Sequence, residues 1–267
     1  MGHWQGKVVI ITGGSRGLGR SLAAAFAEQR ARVVIAARDA AALRQTADQL
    51  ADGDRDVIGI PADVTRQESV EQLITETVGL HDRLDVLVNC AGRSDRGELL
   101  QTTAEQFREL WELNFLAPAR CTAAAAPHLI ASRGHVINIG SLAAKVASRF
   151  LGAYAVSKFP LDAYSQQLRL ELAPQGVAVL LVCTGPIRRG DGDNRYAARS
   201  QGLPGSAAAP GAGVKLSALD PDDLSRRILR AAEHRREELI IPRRARWLFA
   251  LCRLYPRLGD RLIRKMT

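Results

Sequence analysis

The stretch Thr12-Gly13-Gly14-Ser15-Arg16-Gly17-Leu18-Gly19 constrains this chain most, because it joins the apolar run Val8-Val9-Ile10-Ile11 to a helical pattern beginning at Leu22. A strand that feeds a helix through glycines leaves the helix N-terminus open. About four backbone N–H groups there lack an intrahelical partner, and the aligned peptide dipoles add roughly half a positive charge. A pyrophosphate can be held at such a place if no Cβ blocks its approach, and Gly13, Gly17 and Gly19 remove that block. The same stretch also works as a plain tight turn, and its spacing G-x-x-x-G-x-G differs from the G-x-G-x-x-G fingerprint. The rest of the chain has to decide between the two.

Six further apolar runs of strand length follow, at 33–36, 57–60, 86–88, 136–139, 177–182 and 239–241, with helical patterns between them. Continuous Val, Ile and Leu in a strand means cover on both faces, and alternation with helices means a parallel sheet. With 267 residues, 46% of them hydrophobic, the chain can bury one sizeable core. In such an α/β sheet ligands bind beyond the carboxyl ends of the strands.

The residues after each run are therefore the ones to read. Arg38 and Asp39 follow the second run, about twenty residues beyond the glycine turn, where an adenosine ribose would lie. A carboxylate there favours NAD by accepting from the 2′-hydroxyl, whereas an arginine favours NADP by pairing with a 2′-phosphate. Arg38 comes first, Arg16 is a second cation and Asp39 stands where a helix cap is expected, so NADP is the expected cofactor. After the third run, Asp63-Val64 approaches the adenine, or else Asp63 or Thr65 only caps the helix from Gln67. After the fourth, Asn89-Cys90-Ala91-Gly92 lets a cofactor come close to the backbone. Asn114 is the polar residue among the aromatics of a helical stretch near Phe107 and Trp111.

The fifth run ends at Ser141, and Tyr154 and Lys158 follow at the start of a helix. Residues four apart lie on one helix face, about 6 Å along the axis. A free phenol, with pKa near 10, exchanges protons poorly at neutral pH, and a neighbouring ammonium favours its phenolate. Pro160 should kink or loosen that turn.

Together, Thr12-Gly13-x-x-x-Gly17-x-Gly19, Asn89-x-Ala91-Gly92, Asn114, Ser141 and Tyr154-x-x-x-Lys158 resemble the short-chain dehydrogenase/reductase family, from about Gly6 to Ile241. The resemblance implies a single-domain, doubly wound Rossmann-type sheet of about seven strands and hydride transfer between NADP(H) and a ketone or secondary alcohol. It implies Tyr154 as acid/base, Lys158 on the nicotinamide ribose, Ser141 on the substrate carbonyl and Asn114 anchoring a water. The implied cofactor set is Gly13, Ser15, Arg16, Gly17, Leu18, Gly19, Arg38, Asp63, Val64, Asn89, Ala91, Gly92, Tyr154, Lys158, Gly185 and Ile187. A homodimer or homotetramer is implied as well. One loop departs from the family's usual Pro-Gly-x-x-x-Thr, reading Thr184-Gly185-Pro186-Ile187-Arg188-Arg189.

Other classes find little support. The four cysteines and five histidines show no metal-ligand spacing, so no metal is expected. No run approaches the roughly 18 to 20 apolar residues of a membrane span and no leader pattern opens the chain, so the expected location is cytoplasmic. From Arg226 onward thirteen basic residues face four acidic ones, a net +9 that equals the charge of the whole chain. This basic end lacks the interleaved aromatics of a nucleic-acid surface, so none is expected as partner.

Residues 1–242 are expected to form the catalytic domain. Within it, 188–219 reads as a mobile substrate lid in which Arg188, Arg189, Arg195 and Arg199 either attract an anionic substrate or stay solvated. The extension 243–267 spaces Trp247, Leu248, Leu251, Leu254, Leu258 and Leu262 by three and four residues among arginines. It lies either on an anionic membrane surface or against the body or a second subunit. It resembles tails of membrane-associated members similar to 11β-hydroxysteroid dehydrogenase, which implies a lipophilic substrate. The alternative to catalysis is an NADP-binding regulator or scaffold that keeps the fold without turnover.

Overall fold

A computed structural model describes residues 2–188, 200, 202–208 and 216–266. Seven strands, β1 (Val8–Thr12), β2 (Arg32–Ala37), β3 (Asp56–Pro61), β4 (Val86–Asn89), β5 (His135–Ile139), β6 (Ala178–Thr184) and β7 (Glu238–Ile241), form one sheet in the order β3-β2-β1-β4-β5-β6-β7. Every pairing is parallel. Each run expected as a strand is one, within a residue or two.

The apolar runs explain the layers. Side chains alternate across a strand, so Val9 and Ile11 enter one core and Val8 and Ile10 the other. The helices α1 (Gly17–Glu28), α2 (Ala40–Leu50) and α8 (Pro221–Glu233) cover the first face. On the second lie α3 (Gln67–His81), α5 (Ala117–Ser132) and α6 (Tyr154–Leu172). Between β4 and α5 runs α4 (Ala104–Trp111), and α7 (Gly205–Ala208) precedes α8. Burial of both faces is what makes such strands read as unbroken apolar runs. The order reverses between β1 and β4, which opens a crevice at their carboxyl ends.

Two helices follow β7, α9 (Ala245–Leu254) and α10 (Pro256–Met266). Ala245 and Phe249 pack with Leu161, Leu181, Cys183 and Ile240, so one side of α9 lies against the body. Gly259 permits α10 to come close to Cys252. Trp247, 81% exposed, and Leu254, 73% exposed, remain in solvent. No described helix is long and apolar enough to cross a membrane.

Candidate active site

The glycine turn is open toward the crevice. Thr12 ends β1, and its hydroxyl accepts from the backbone N–H groups of Cys90 and Ala91, both at 3.1 Å. That oxygen fixes the turn after β1 beside the segment after β4. A Cβ at Gly19 would overlap the Gly13 carbonyl oxygen, so only glycine lets α1 start this close to the turn. Gly17 has φ +54°, and a Cβ there would meet no protein atom within 4 Å. Arg16 occupies the N-cap of α1 without a side-chain cap bond. The first-turn N–H groups therefore face open space, a fit for a pyrophosphate. Leu18 is buried in the core and the Ser15 carbonyl accepts from the Thr46 hydroxyl at 2.9 Å. Leu18 can therefore offer a ligand only its main-chain N–H, and Ser15 its N–H and hydroxyl.

On the adenosine side, Asp39 caps α2, its Oδ1 accepting from the N–H groups of Ala41 at 3.1 Å and Ala42 at 3.0 Å. Arg38 is exposed. Asp63 accepts from the backbone and hydroxyl of Thr65 at 3.0 and 2.7 Å. Burial pushes its carboxyl up, but those bonds and the charges of Arg38 and Arg66 outweigh it and hold the pKa below the ordinary value. Asp63 does not cap the next helix, whose N-cap is Arg66. Val64 is buried in the second core.

On the opposite side of the crevice four elements converge. Residues Glu112–Leu116 form a π-helical turn between α4 and α5, a local widening that recurs at functional sites. It places Asn114, wholly buried, with Nδ2 donating to the Arg93 carbonyl at 2.8 Å and the Ser157 hydroxyl at 2.9 Å, while Oδ1 accepts from Arg93 N–H at 2.9 Å. A Cβ at Gly92 would lie 2.9 Å from Asn114 Oδ1 and 3.4 Å from Lys158 Nζ, so these three residues share one spot. Lys158 is 5% exposed and donates to the Ile139 carbonyl at 2.9 Å. Burial lowers its pKa to about 8, with Cys90 and Cys183 acting in the opposite direction. Tyr154, half-buried, lies one turn earlier and packs on Ala143, Leu151 and Ala155. Ser141 caps the short turn Leu142–Ala144, its Oγ accepting from Ala143 N–H at 3.1 Å. That turn packs against α6. The helix continues through Pro160 to Leu172, so the proline does not end it.

The side-chain amide of Asn89 is engaged within the sheet. Its Nδ2 donates to Asn138 Oδ1 at 2.9 Å and Thr122 Oγ1 at 3.1 Å, and Asn138 donates in turn to Ser165 at 3.0 Å. Asn89 thus ties β4 to β5 and α5 from inside the sheet. Gly185 N–H donates to the Ile241 carbonyl at 3.0 Å, and Ile187 bridges to Leu219. Arg188 reaches Asp220 at 3.6 Å, a side chain that also caps α8. Arg189, Arg195, Arg199 and most of 188–219 lie outside the described residues. Within that stretch α7 carries Ala207, buried, whose carbonyl accepts from the buried Arg96 side chain at 2.8 Å. The sequence placed Thr12 in the glycine motif without a role for its hydroxyl, and it gave no role to Asn138 or Ser157. A polar residue inside an apolar strand was the signal for Asn138.

The family described as short chain dehydrogenase matches residues 7–198. An uncharacterized oxidoreductase of Bacillus subtilis (strain 168), YxnA, is 31% identical over 264 residues, 97% of this chain and 72% of its own length. An L-fucose dehydrogenase of Bos taurus is 38% identical over 186 residues, 69% of this chain and 67% of its own. Among solved structures, a short chain dehydrogenase/reductase from Burkholderia phymatum in complex with NAD superposes with a TM-score of 0.83 at 23% identity, covering 97% of this chain and 96% of that one.

Proposed function

The chain belongs to the short-chain dehydrogenase family, and from that premise we propose that it moves hydride between NADP(H) and a ketone or secondary alcohol in the crevice beside Lys158. The observation that carries the reading is the meeting of Lys158, Asn114 and Gly92 one helical turn from Tyr154. The bound nicotinamide supplies or accepts the hydride. In this reading Tyr154 gives the proton to the substrate oxygen or takes it. Lys158 donates one N–H to Ile139, which leaves two for the ribose hydroxyls, and its charge favours the phenolate of Tyr154. The Ser141 oxygen accepts from Ala143, so its own proton remains to donate to a carbonyl. Both N–H groups of the Asn114 amide are committed and its Oδ1 accepts one bond, which leaves one lone pair on that oxygen to hold a water.

The preference for NADP rests on three residues. Arg38 and Arg16 are exposed cations at the ribose end of the crevice, and Asp39 is engaged in capping α2. The Burkholderia phymatum structure is a complex with NAD, so it supports a nicotinamide dinucleotide and leaves the 2′-phosphate to these side chains.

Absorbance of the nicotinamide tests the proposal, following NADPH oxidation with ketones and NADP+ reduction with alcohols and sugars. The substrate panel spans lipophilic ketones, expected from the tail, and sugars, the class named by the L-fucose dehydrogenase relative. Tyr154→Phe is expected to lose at least about a hundredfold in turnover, the scale of positioned acid–base catalysis. Equal turnover by the variant would remove Tyr154 from the mechanism. A second reading, a silent dinucleotide-binding scaffold, draws on Thr184, which is buried at the end of β6 in the loop that departs from the family pattern. Tight NADP binding with no turnover on any substrate, in parent and Tyr154→Phe alike, would favour it.

A further inference from the structure

Beside the edge strand β7 lies a groove of about 810 Å³ between α6, β7 and α9. Arg169, Arg236, Arg243, Arg246 and Arg253 line it. None of the five makes an ion pair with a described residue. Three carboxylates also line the groove, and two of them, Asp162 and Glu238, hold Lys145 at 2.7 and 2.5 Å. Five guanidinium groups and the Lys145 ammonium therefore outweigh three carboxylates, which leaves the groove with a net charge of +3. A solvated helix face would present its arginines from one element. These come from α6, from the turn before β7, from the turn before α9 and from α9 itself. Convergent like charges repel one another where they lie within the roughly 8 to 10 Å screening length, and an anion seated among them relieves that repulsion. The guanidinium fork matches phosphate oxygens two at a time.

On α9 the groove-facing residues Arg246, Phe249, Ala250 and Arg253 form one stripe at helical spacing. Trp247 and Leu254 lie one position on, along the adjoining face, and both are exposed. We propose that this groove is a phosphate site, taking a phosphate group from either an anionic lipid headgroup or a free phosphorylated metabolite. It is separate from the crevice at Lys158 and does not depend on turnover there.

The test uses the full chain saturated with NADP, so that the glycine turn is occupied, and titrates inorganic pyrophosphate by calorimetry. Arg169→Gln/Arg243→Gln is expected to weaken binding at least about tenfold, the loss of a charge-assisted contact. Arg257→Gln/Arg261→Gln, on α10 outside the groove, should bind as the parent does. If the first pair fails to fold, Arg236→Gln/Arg253→Gln carries the same expectation. Flotation with phosphatidylglycerol vesicles, against phosphatidylcholine alone, separates the sources. Vesicle binding lost in the groove variants assigns a headgroup, and pyrophosphate binding without vesicle binding assigns a free phosphate. No binding of either probe, or equal binding by groove and α10 variants, would overturn the proposal. So would a change of sedimentation in the groove variants with pyrophosphate binding intact, which would make the groove a contact between copies.

Discussion

Replacing Lys158 by methionine isolates the free energy of holding an ammonium in the crevice. Burial brings the Lys158 pKa from 10.5 down to about 8. Near neutral pH the side chain is charged in folded and unfolded chains alike, so folding carries the whole penalty, about 3 kcal/mol at roughly 1.4 kcal/mol per unit. The folded pKa lies below the unfolded one. Between pH 8 and 10.5 the unfolded chain therefore keeps a proton that the folded chain has released, and stability rises with pH. Methionine has no such titration. From about pH 7 to about pH 9.5 the unfolding free energy of the parent should gain about 2 kcal/mol on that of Lys158→Met. At about pH 7 methionine removes the penalty but forfeits the bond to Ile139, worth about 1.5 to 3 kcal/mol for a charged donor, so the two chains should agree within about 1.5 kcal/mol. Urea unfolding of nucleotide-free protein across the pH range, followed by fluorescence of the buried Trp4, measures both quantities. A parent–variant difference that stays flat from about pH 7 to about pH 9.5 would show that this ammonium is not desolvated, and the account of the crevice would fail with it.

Gly19→Ala puts a methyl group into the Gly13 carbonyl, so the turn must shift; about 1 to 3 kcal/mol of stability and at least tenfold in NADP affinity should be lost, and affinity within about twofold of the parent would refute the fit. His135 is buried beside Trp4, and burial first, then the charges of Arg235, His3 and Lys7, lower its pKa from 6.5 to about 4. As pH falls from 6.5 to 4 the unfolded chain takes up a proton that the folded chain refuses, so stability should drop by about 3 kcal/mol, and His135→Phe should abolish that slope in acid titrations of urea midpoints. Arg38→Ala should weaken NADP about ten- to a hundredfold with little effect on NAD; equal losses for both would reassign the 2′-phosphate contact.

The strands were legible because burial on both faces forces unbroken apolar runs, and β1 to β7 follow those runs closely. Tyr154, Lys158 and the glycine turn were legible because spacing along one chain carries them. The partners of Asn114 were not. Its bonds to Arg93 and Ser157 join residues 21 and 43 positions away, through a π-helical turn that no periodicity announces. The inward turn of the Asn89 amide was not legible either, since its partner Asn138 is a polar residue hidden inside an apolar run. The arginine groove was invisible for the same reason, since α6, α9 and the turns before β7 and α9 supply its arginines from separate stretches.

The widened turn at Glu112–Leu116 makes the crevice depend on counting as much as on chemistry. Deleting one residue within it would restore ordinary helical winding and rotate the segment before it by about 100° relative to α5. Asn114 would swing off Arg93 and Ser157 with every residue type in the crevice unchanged. A change in chain length by a single position, which no comparison of side-chain chemistry would flag as serious, is thus enough to dismantle the wall against which Lys158 is held.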